Sequence, residues 1–504
     1  MHTSLWLSLL LVIPLVGAAL IIGLRASDRL ARIIGIATAA LELVLTIVVA
    51  LAYRTSHTVG SGSTTTVFDF TYRKVLAPSL GVAYDVGVDG ISLFLVALTA
   101  LVILLALIGA NESRRTPAFV AWLLVLMTAT IGAFATRDML LFFLFFELTL
   151  IPSYFLIAGW GGSQRAAAAL KFFVYTLFGS GFLLVGMVYI ALRHQHVFGG
   201  DLTFAMSALK ETPLSSGVAT WIMIGFLVAF GIKSPLFPLH TWSPLAYAEA
   251  PIAGSMVLSA LLAKLGTYGL LRFAVGLLPQ SLDNVRPVVL TLAVIGILYG
   301  SGLAAVSKEL KKVVAYSSMA QVGFIILGIF AGSQIATSGA VLLMFNHGVI
   351  TAGLFLLIGG IERRRGTSTI SALSGLQGPA PVLAALFTVV MLASIGLPGL
   401  SGFVSELLVL LGSFNAHPWW AVVATTGVIF AALYLLWAYQ RVFHGEATGD
   451  NAGIEDATTA ERWVLAPIIV LVLVLGVYPA PLLNKINPST HAIVAHSTPQ
   501  GVNR

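Results

Sequence analysis

The sequence predicts an all-α polytopic membrane protein of about 14 transmembrane helices, with two inverted five-helix repeats that each contain a broken helix. Three observations carry this expectation. Hydrophobic residues make up 58% of the chain and charged residues only 9%, and the mean hydropathy of +0.98 is beyond what a water-facing surface tolerates. Apolar segments, each near the ~20 residues a bilayer requires, recur from about residues 4, 31, 89, 117, 138, 168, 218, 249, 286, 312, 336, 381, 418 and 462. Two of these segments are interrupted by proline and glycine at corresponding places.

The first apolar run lacks a basic n-region and contains Pro14, so it reads as a span rather than a cleaved signal peptide. The long polar connections are 53–88, rich in Gly, Ser and Thr, then 193–217 and 441–461, and none reads as a separate soluble domain. The chain divides into an N-terminal three-helix segment with a long outer loop (1–116), a first five-helix repeat (117–273), a second five-helix repeat (286–443), and a C-terminal loop, last transmembrane helix and tail (444–504). An odd number of spans per block inverts the second relative to the first. Fifteen of the 27 basic residues fall in loops of one face and ten in the loops and termini of the other, an asymmetry that orients both termini outward. The net charge of +7 is thereby explained without nucleic acid, which is not an expected partner. Lys233 and Lys264 belong to no loop.

Both breaks lie in the fourth span of their block. In "GIKSPLFPLHTWSPL", Pro235 and Pro238 cannot donate to the carbonyls of Gly231 and Ser234; in "GLPGLSG", Pro398 does the same to Ser394 and three glycines loosen the neighbouring backbone. Freed carbonyls at membrane depth are tolerable only inside protein or beside water, and paired broken helices point to an ion or substrate site. The ionisable residues agree. Glu147 lies mid-span in "MLLFFLFFELTLIPSYFLIA", Lys264 mid-span in "GSMVLSALLAKLGTYGLL", Lys233 just before the first break and Glu406 just after the second. A charge at such depth costs at least ~2.5 to 3.5 kcal/mol. These residues read as a proton relay, in which breaking and remaking a lysine–carboxylate pair moves the lysine across physiological pH. The competing reading is a set of snorkelling or statically paired charges that fix helix packing.

His240 after the first break and His347 within "LLMFNHGVITAGLFLLI" can relay protons as neutral imidazoles, against the alternative of satisfied structural groups. Glu42 is mid-span but outside both repeats and has no evident cationic partner, which suggests that it faces another subunit. His194 and His196 stand two apart, a spacing found in metal sites, yet no metal cluster can be assembled and no metal is expected. The absence of cysteine removes disulfides, thiolate nucleophiles and the usual iron–sulfur ligands, so no redox centre is expected in the chain. Nor can a nucleotide loop or catalytic triad be found.

"LLFFLFFELTLIPSYFLI", "GIKSPLFPLHTWSP", "EAPIAGSMVLSALLAKLGTYGLLRF", "FNHGVITAGLFLLIGGIERR" and "SIGLPGLSGFVSELLVLLGSF" together resemble the antiporter-like subunit M family of bacterial respiratory complex I (NADH:quinone oxidoreductase), counterpart of mitochondrial subunit 4. The match spans most of residues 90–445, and "YQRVFHGE" points the same way. Sister subunits L and N carry lysine where Glu406 stands, so this glutamate favours the M type. The resemblance implies proton translocation, with Glu147 paired to Lys233, Lys264 passing protons along the central plane, Glu406 serving the outward connection, and His240 and His347 along that axis. It also implies a multi-pass protein of the bacterial cell (inner) membrane, partnered by lipids and by the other membrane-arm subunits, especially L and N. NADH, FMN, iron–sulfur clusters and quinone are expected on partner subunits and no cofactor on this chain. The sequence departs from the family pattern at Leu245 and Tyr247, where many relatives have aspartate and histidine, and at Gln321, where relatives often carry histidine. A D-type subunit of a multisubunit Mrp sodium/proton antiporter shares the motifs and is the alternative; a purely structural subunit leaves the four buried charges unexplained.

Overall fold

The structure, a computed structural model, describes residues 5–54, 68–109 and 115–497. Among the described residues, thirteen helices are long and apolar enough to cross a membrane, and two shorter apolar helices, Pro381–Ile395 and Ser401–Ala416, follow one another in the chain. The chain begins with α1 (Trp6–Gly23) and α2 (Asp28–Ala52), which pack with α3 (Ser92–Gly109) and α4 (Thr116–Ala135) into an N-terminal bundle. The chain continues as α5 (Met139–Leu148) and α6 (Leu150–Trp160), followed by the long α7 (Arg165–Phe198), the short α8 (Met206–Lys210), α9 (Ser216–Lys233) and α10 (Ser243–Glu249). One continuous helical stretch then runs over Ile252–Val275, built of α11 (Ile252–Val257), a π-helical turn (Leu258–Leu262), α12 (Ala263–Gly269) and a second π-helical turn (Leu270–Val275). The chain goes on through α13 (Leu282–Val306), α14 (Leu310–Phe330), α15 (Gln334–Arg365), α16 (Pro381–Ile395), α17 (Ser401–Ala416) and α18 (Pro418–Phe443). The last helices are α19 (Thr459–Val477) and α20 (Ala480–Ser497).

Burial separates these helices by task. The stretch 252–275, α14 and α15 are enclosed along nearly their whole length, whereas α1, α2, α7 and α18 turn apolar side chains such as Ile22, Val185 and Ile429 outward, as lipid contact requires. The enclosed helices carry Lys264, Gln321 and His347. Close packing is needed to hold them. A Cβ on Gly266 would stand 2.6 Å from the carbonyl of Phe230 and from Ser234, so only glycine lets α12 lie directly against the end of α9.

Both breaks are present where the sequence puts them, and their backbone groups are largely re-satisfied. Leu236 N–H donates to the Gly231 carbonyl at 2.8 Å and the Trp242 indole donates to Ile232 O at 2.8 Å. The carbonyl expected to be free at Gly231 is therefore taken inside the break. At the second break, Gly396 (φ 81°) and Gly399 (φ 91°) adopt the left-handed region, and Leu397 N–H reaches Leu392 O at 3.1 Å.

The polar connections carry structure of their own. Within 53–88, β1 (Asp69–Ala77) and β2 (Val82–Val88) form an antiparallel hairpin turned by Gly81 at φ 67°. It is anchored where Val86 bridges Thr136 and Arg137 N–H donates to Asp85 O at 2.9 Å. On the same face, which by alternation of spans also carries both ends of the described chain, α20 folds back. Lys485 Nζ donates to Ala50 O at 2.6 Å and Ser489 Oγ accepts from Gly90 N–H at 3.0 Å. On the opposite face the connection 441–461 ties helices together: Thr458 and Glu461 form a capping box on α19, and Glu461 also takes Arg363 at 2.8 Å and Arg364 at 2.6 Å. Arg272, counted from sequence among the loop residues, is instead buried inside the stretch 252–275 and paired with Asp89. Glu42, expected to face another subunit, is fully buried within this chain, with neither carboxylate oxygen partnered among the described residues.

Because Trp242 closes the first break, Trp242→Phe leaves the Ile232 carbonyl unsatisfied and should destabilise the protein by about 1–3 kcal/mol. Thermal unfolding and protease resistance in detergent measure this. A wild-type midpoint would mean that the carbonyl finds another partner.

Candidate functional site: a buried line of ionisable side chains

Lys233 closes α9, so its ammonium emerges where helical hydrogen bonding stops. It is 2% exposed, donates to Thr149 Oγ1 at 3.0 Å and lies 4.6 Å from the centre of the Phe146 ring. The aromatic face and the hydroxyl solvate a cation that bulk water does not reach. Glu147, half-buried on α5, is within electrostatic reach of Lys233 but not in ion-pair contact with it, and Ser180 on α7 is a second polar neighbour of its carboxylate. The pair that the resemblance implies is therefore open here, with Thr149 holding the lysine.

Lys264 follows the first π-helical turn and has no exposed surface. Such turns widen a helix and recur at functional positions. Inside this one, the Ser259 carbonyl accepts from Lys264 Nζ at 2.7 Å, and the Ser259 hydroxyl lies 2.9 Å from that of Ser318 on α14. A second partner of the ammonium comes from α15, where His347 Nδ1 stands 2.6 Å from Lys264 Nζ. His347 Nε2 is buried without a protein partner among the described residues, so one side of the ring faces the lysine and the other is open to a further donor or acceptor.

Glu406, 5% exposed on α17, accepts from Gln321 Nε2 at 2.8 Å. The second break touches it directly, since a Cβ on Gly396 would lie 2.5 Å from the carboxylate. Asn346, beside His347 in sequence, donates to Ser401 O at 2.8 Å and reaches Ser405 Oγ at 3.4 Å, which ties α15 to the helix of Glu406. Tyr247, at one of the departures from the family pattern, is buried and donates to Leu258 O in the first π-helical turn at 3.3 Å.

His240 stands apart from these groups. Its ring lies 5.6 Å from Phe237 and 5.4 Å from Tyr299, beside a cleft of about 260 Å³ whose lining includes Leu245 and extends to Lys312 and Tyr316 at the start of α14. It contacts neither Lys233 nor Lys264. Sequence reasoning missed Thr149, Ser259 and Asn346, which touch the charged groups or the helices that carry them. The available signal was their position, two residues from Glu147, five before Lys264 and next to His347. His194 Nδ1 is 3.1 Å from Thr212 Oγ1.

Residues 136–431 match the family model described as NADH:quinone oxidoreductase/Mrp antiporter, TM. The NADH-quinone oxidoreductase subunit M of Mycobacterium tuberculosis is 37% identical, covering 96% of this chain and 93% of that protein. The subunit M of Rhodobacter capsulatus is 40% identical, covering 82% and 83%. Among solved structures, a chain of respiratory complex I from Thermus thermophilus with bound NADH superposes with a TM-score of 0.88 at 32% identity, covering 98% of this chain and 100% of that one. A multi-pass membrane fold, broken helices around buried lysine, histidine and glutamate, and these likenesses over nearly the whole length place the chain in the antiporter-like family of NADH:quinone oxidoreductase, among its subunit M members.

Proposed function

We propose that this chain translocates protons through the line Glu147, Lys233, Lys264, His347 and Glu406, driven by quinone reduction in other subunits of an NADH:quinone oxidoreductase. The observation that carries the proposal is the 2.6 Å contact between Lys264 Nζ and His347 Nδ1 inside the two most enclosed helices. An ammonium against an imidazole nitrogen can pass its proton across a single hydrogen bond, and the open Nε2 side of the ring offers the next exchange. No bond other than N–H is made or broken in this step.

In the first half, the pair Glu147–Lys233 acts as the switch. When the carboxylate approaches, Lys233 keeps its proton; when the pair opens, the lysine falls back on Thr149 and the Phe146 ring, and release toward Lys264 is favoured. In the second half, Gln321 orients Glu406 but carries no titratable proton, so transfer from His347 to Glu406 runs through water. His240, beside its cleft, serves a connection toward the Lys312 face rather than the central line. NADH, FMN, iron–sulfur clusters and quinone belong in this proposal to partner subunits. The neighbours are the sister subunits L and N in a bacterial inner membrane, with both termini outside. A D-type Mrp antiporter subunit has the same motifs, but the names of the relatives favour the oxidoreductase.

Glu147→Gln and Lys233→Ala should each lower proton-coupled turnover by about tenfold or more, and Glu147→Asp should retain more than Glu147→Gln because the charge survives. Quinone reductase activity and proton uptake in membrane vesicles measure this, with assembly checked on native gels. An assembled Glu147→Gln protein pumping at the wild-type proton-to-electron ratio would reduce Lys233 to a clamp on the broken helix.

Glu406→Gln should weaken pumping with assembly intact, since the amide keeps the shape and the contact with Gln321 but holds no exchangeable charge. Full pumping by this variant would leave Glu406 as a seal on the second break.

Tags in 361–367 and 307–312 should be cytoplasmic and tags at either terminus outside. A cytoplasmic C-terminus would remove the orientation and the pairing of the two blocks.

A further inference from the structure

Lys264, Tyr268 and Arg272 stand four residues apart on the stretch 252–275, so they share one face and climb it toward the face that carries the hairpin and α20. The Arg272 guanidinium lies 5.4 Å from the centre of the Tyr268 ring, and the Tyr268 hydroxyl donates to Phe134 O at 3.1 Å. Above Tyr268, Arg272 pairs with Asp89, both fully enclosed. Next to them, Arg272 and Arg137 each stand 5.2 Å from the ring centre of Phe68, and Arg137 lies 3.7 Å from Asp85. Thr136 Oγ1 donates to the backbone carbonyls of both Asp85 and Asp138, which ties the chain before α5 to the hairpin.

This cluster is buried yet incompletely partnered. Asp85, Asp89 and Asp138 are at most 2% exposed. Asp89 Oδ1 accepts from the N–H groups of Ile91 and Ser92, and Asp138 Oδ1 from those of Leu140 and Leu141, but Oδ2 of both has no protein partner among the described residues. Buried carboxylate oxygens left open in this way call for water. The proposed relay from Glu147 to Glu406 does not use these residues.

We propose that Tyr268, the Arg272–Asp89 pair and Asp138 form an outward proton exit from Lys264, separate from the connection at Glu406. The proposal rests on the relay reading of Lys264. The proton leaves Nζ of Lys264, crosses the Tyr268 hydroxyl through water held by the open oxygens, and comes to rest on Oδ2 of Asp138, from which it is released at the outer face. Only N–H and O–H bonds change, and no electron moves. Arg272 and Asp89 cancel one another's charge, which lowers the electrostatic barrier to a proton passing between Tyr268 and Asp138.

Burial shifts the titratable groups at its outer end. Burial pushes the Asp138 carboxyl up to about 6, against the two backbone N–H groups that lower it, and burial also raises Asp85, against Arg137 and Arg73. Burial, with Arg272 nearby, brings Lys210 on α8 down to about 8, and burial and Lys210 lower His496 on α20. Asp85 from β2 and Arg73 from β1 face Asp138, Arg137 precedes it in the chain, and Lys210, with His496 behind it, stands near the Arg272–Asp89 pair. At an outer pH below about 6, Asp138 fills and the exit slows.

The test uses the intact complex in proteoliposomes, with protons delivered per quinone reduced measured while the receiving side is varied across pH about 6. Wild type should show a decline on the acid side. Asp138→Asn, which keeps an oxygen for the α5 cap, should lower the ratio and abolish that decline, and Asp138→Glu should restore both. Tyr268→Phe should lower the ratio at every pH. An Asp138→Asn complex that keeps the acid-side decline marks Asp138 as a cap alone and overturns the proposal, as does Tyr268→Phe at the wild-type ratio; should Asp138→Asn fail to assemble, Tyr268→Phe decides. Lys264→Ala measured in parallel separates the two readings. If it pumps normally, the relay itself fails and the exit with it; if it does not pump while Tyr268→Phe and Asp138→Asn behave as wild type, only the exit is wrong.

Discussion

Everything in this fold answers to the difficulty of keeping ionisable side chains at membrane depth, where each charge costs at least ~2.5 to 3.5 kcal/mol unless protein replaces its water. The contact between Lys264 and His347 is where that demand is greatest. It requires an ammonium and an imidazole to meet away from any exposed surface, so the stretch 252–275 and α15 must both be enclosed. The π-helical turn before Lys264 follows from the same need, since it turns the Ser259 carbonyl to the ammonium as a second acceptor. Gly266 lets α12 approach the end of α9, which brings the Lys233 region alongside.

The two broken helices meet the demand differently. At the first, a backbone amide and an indole take the carbonyls that the break frees, leaving the side chain of Lys233 to find a hydroxyl and an aromatic face. At the second, glycines in the left-handed region make a turn compact enough for the Glu406 carboxylate to press against it. One break thus presents a cation and the other an acid, each at the end of interrupted helical hydrogen bonding.

The sequence made the spans, both breaks and the ionisable residues of the line legible, because proline and charge within apolar runs are conspicuous against a uniform background. Glu147, Lys233, Lys264, His347 and Glu406 were found in that way. The hairpin was not, since "DFTYRKVLA" lacks the apolar alternation of a half-buried strand, and its outer residues are mostly exposed. Arg272 was misplaced because a basic residue near the end of a span reads as a loop residue, and only tertiary packing reveals Asp89 beside it. His240 looked equivalent to His347, yet the break turns its ring toward Tyr299, a direction that no local pattern encodes.

Partner chemistry separates the buried charges into two kinds. Among the described residues, Lys233, Lys264 and Glu406 take neutral partners, a hydroxyl, an imidazole with a carbonyl, and an amide, and Glu147 is in no ion pair. Arg272 and Asp89, Arg364 and Glu461, and Lys311 and Glu362 are true ion pairs. Only Arg272–Asp89 of these three is fully buried, and breaking such a pair strands its partner at a cost of about 3–5 kcal/mol, so it keeps its charges. A neutral partner strands nothing when its neighbour gains or loses a proton. A static ion pair is therefore what Arg272 and Asp89 form, while the neutral partners of Lys233, Lys264 and Glu406 are what the proposed relay requires.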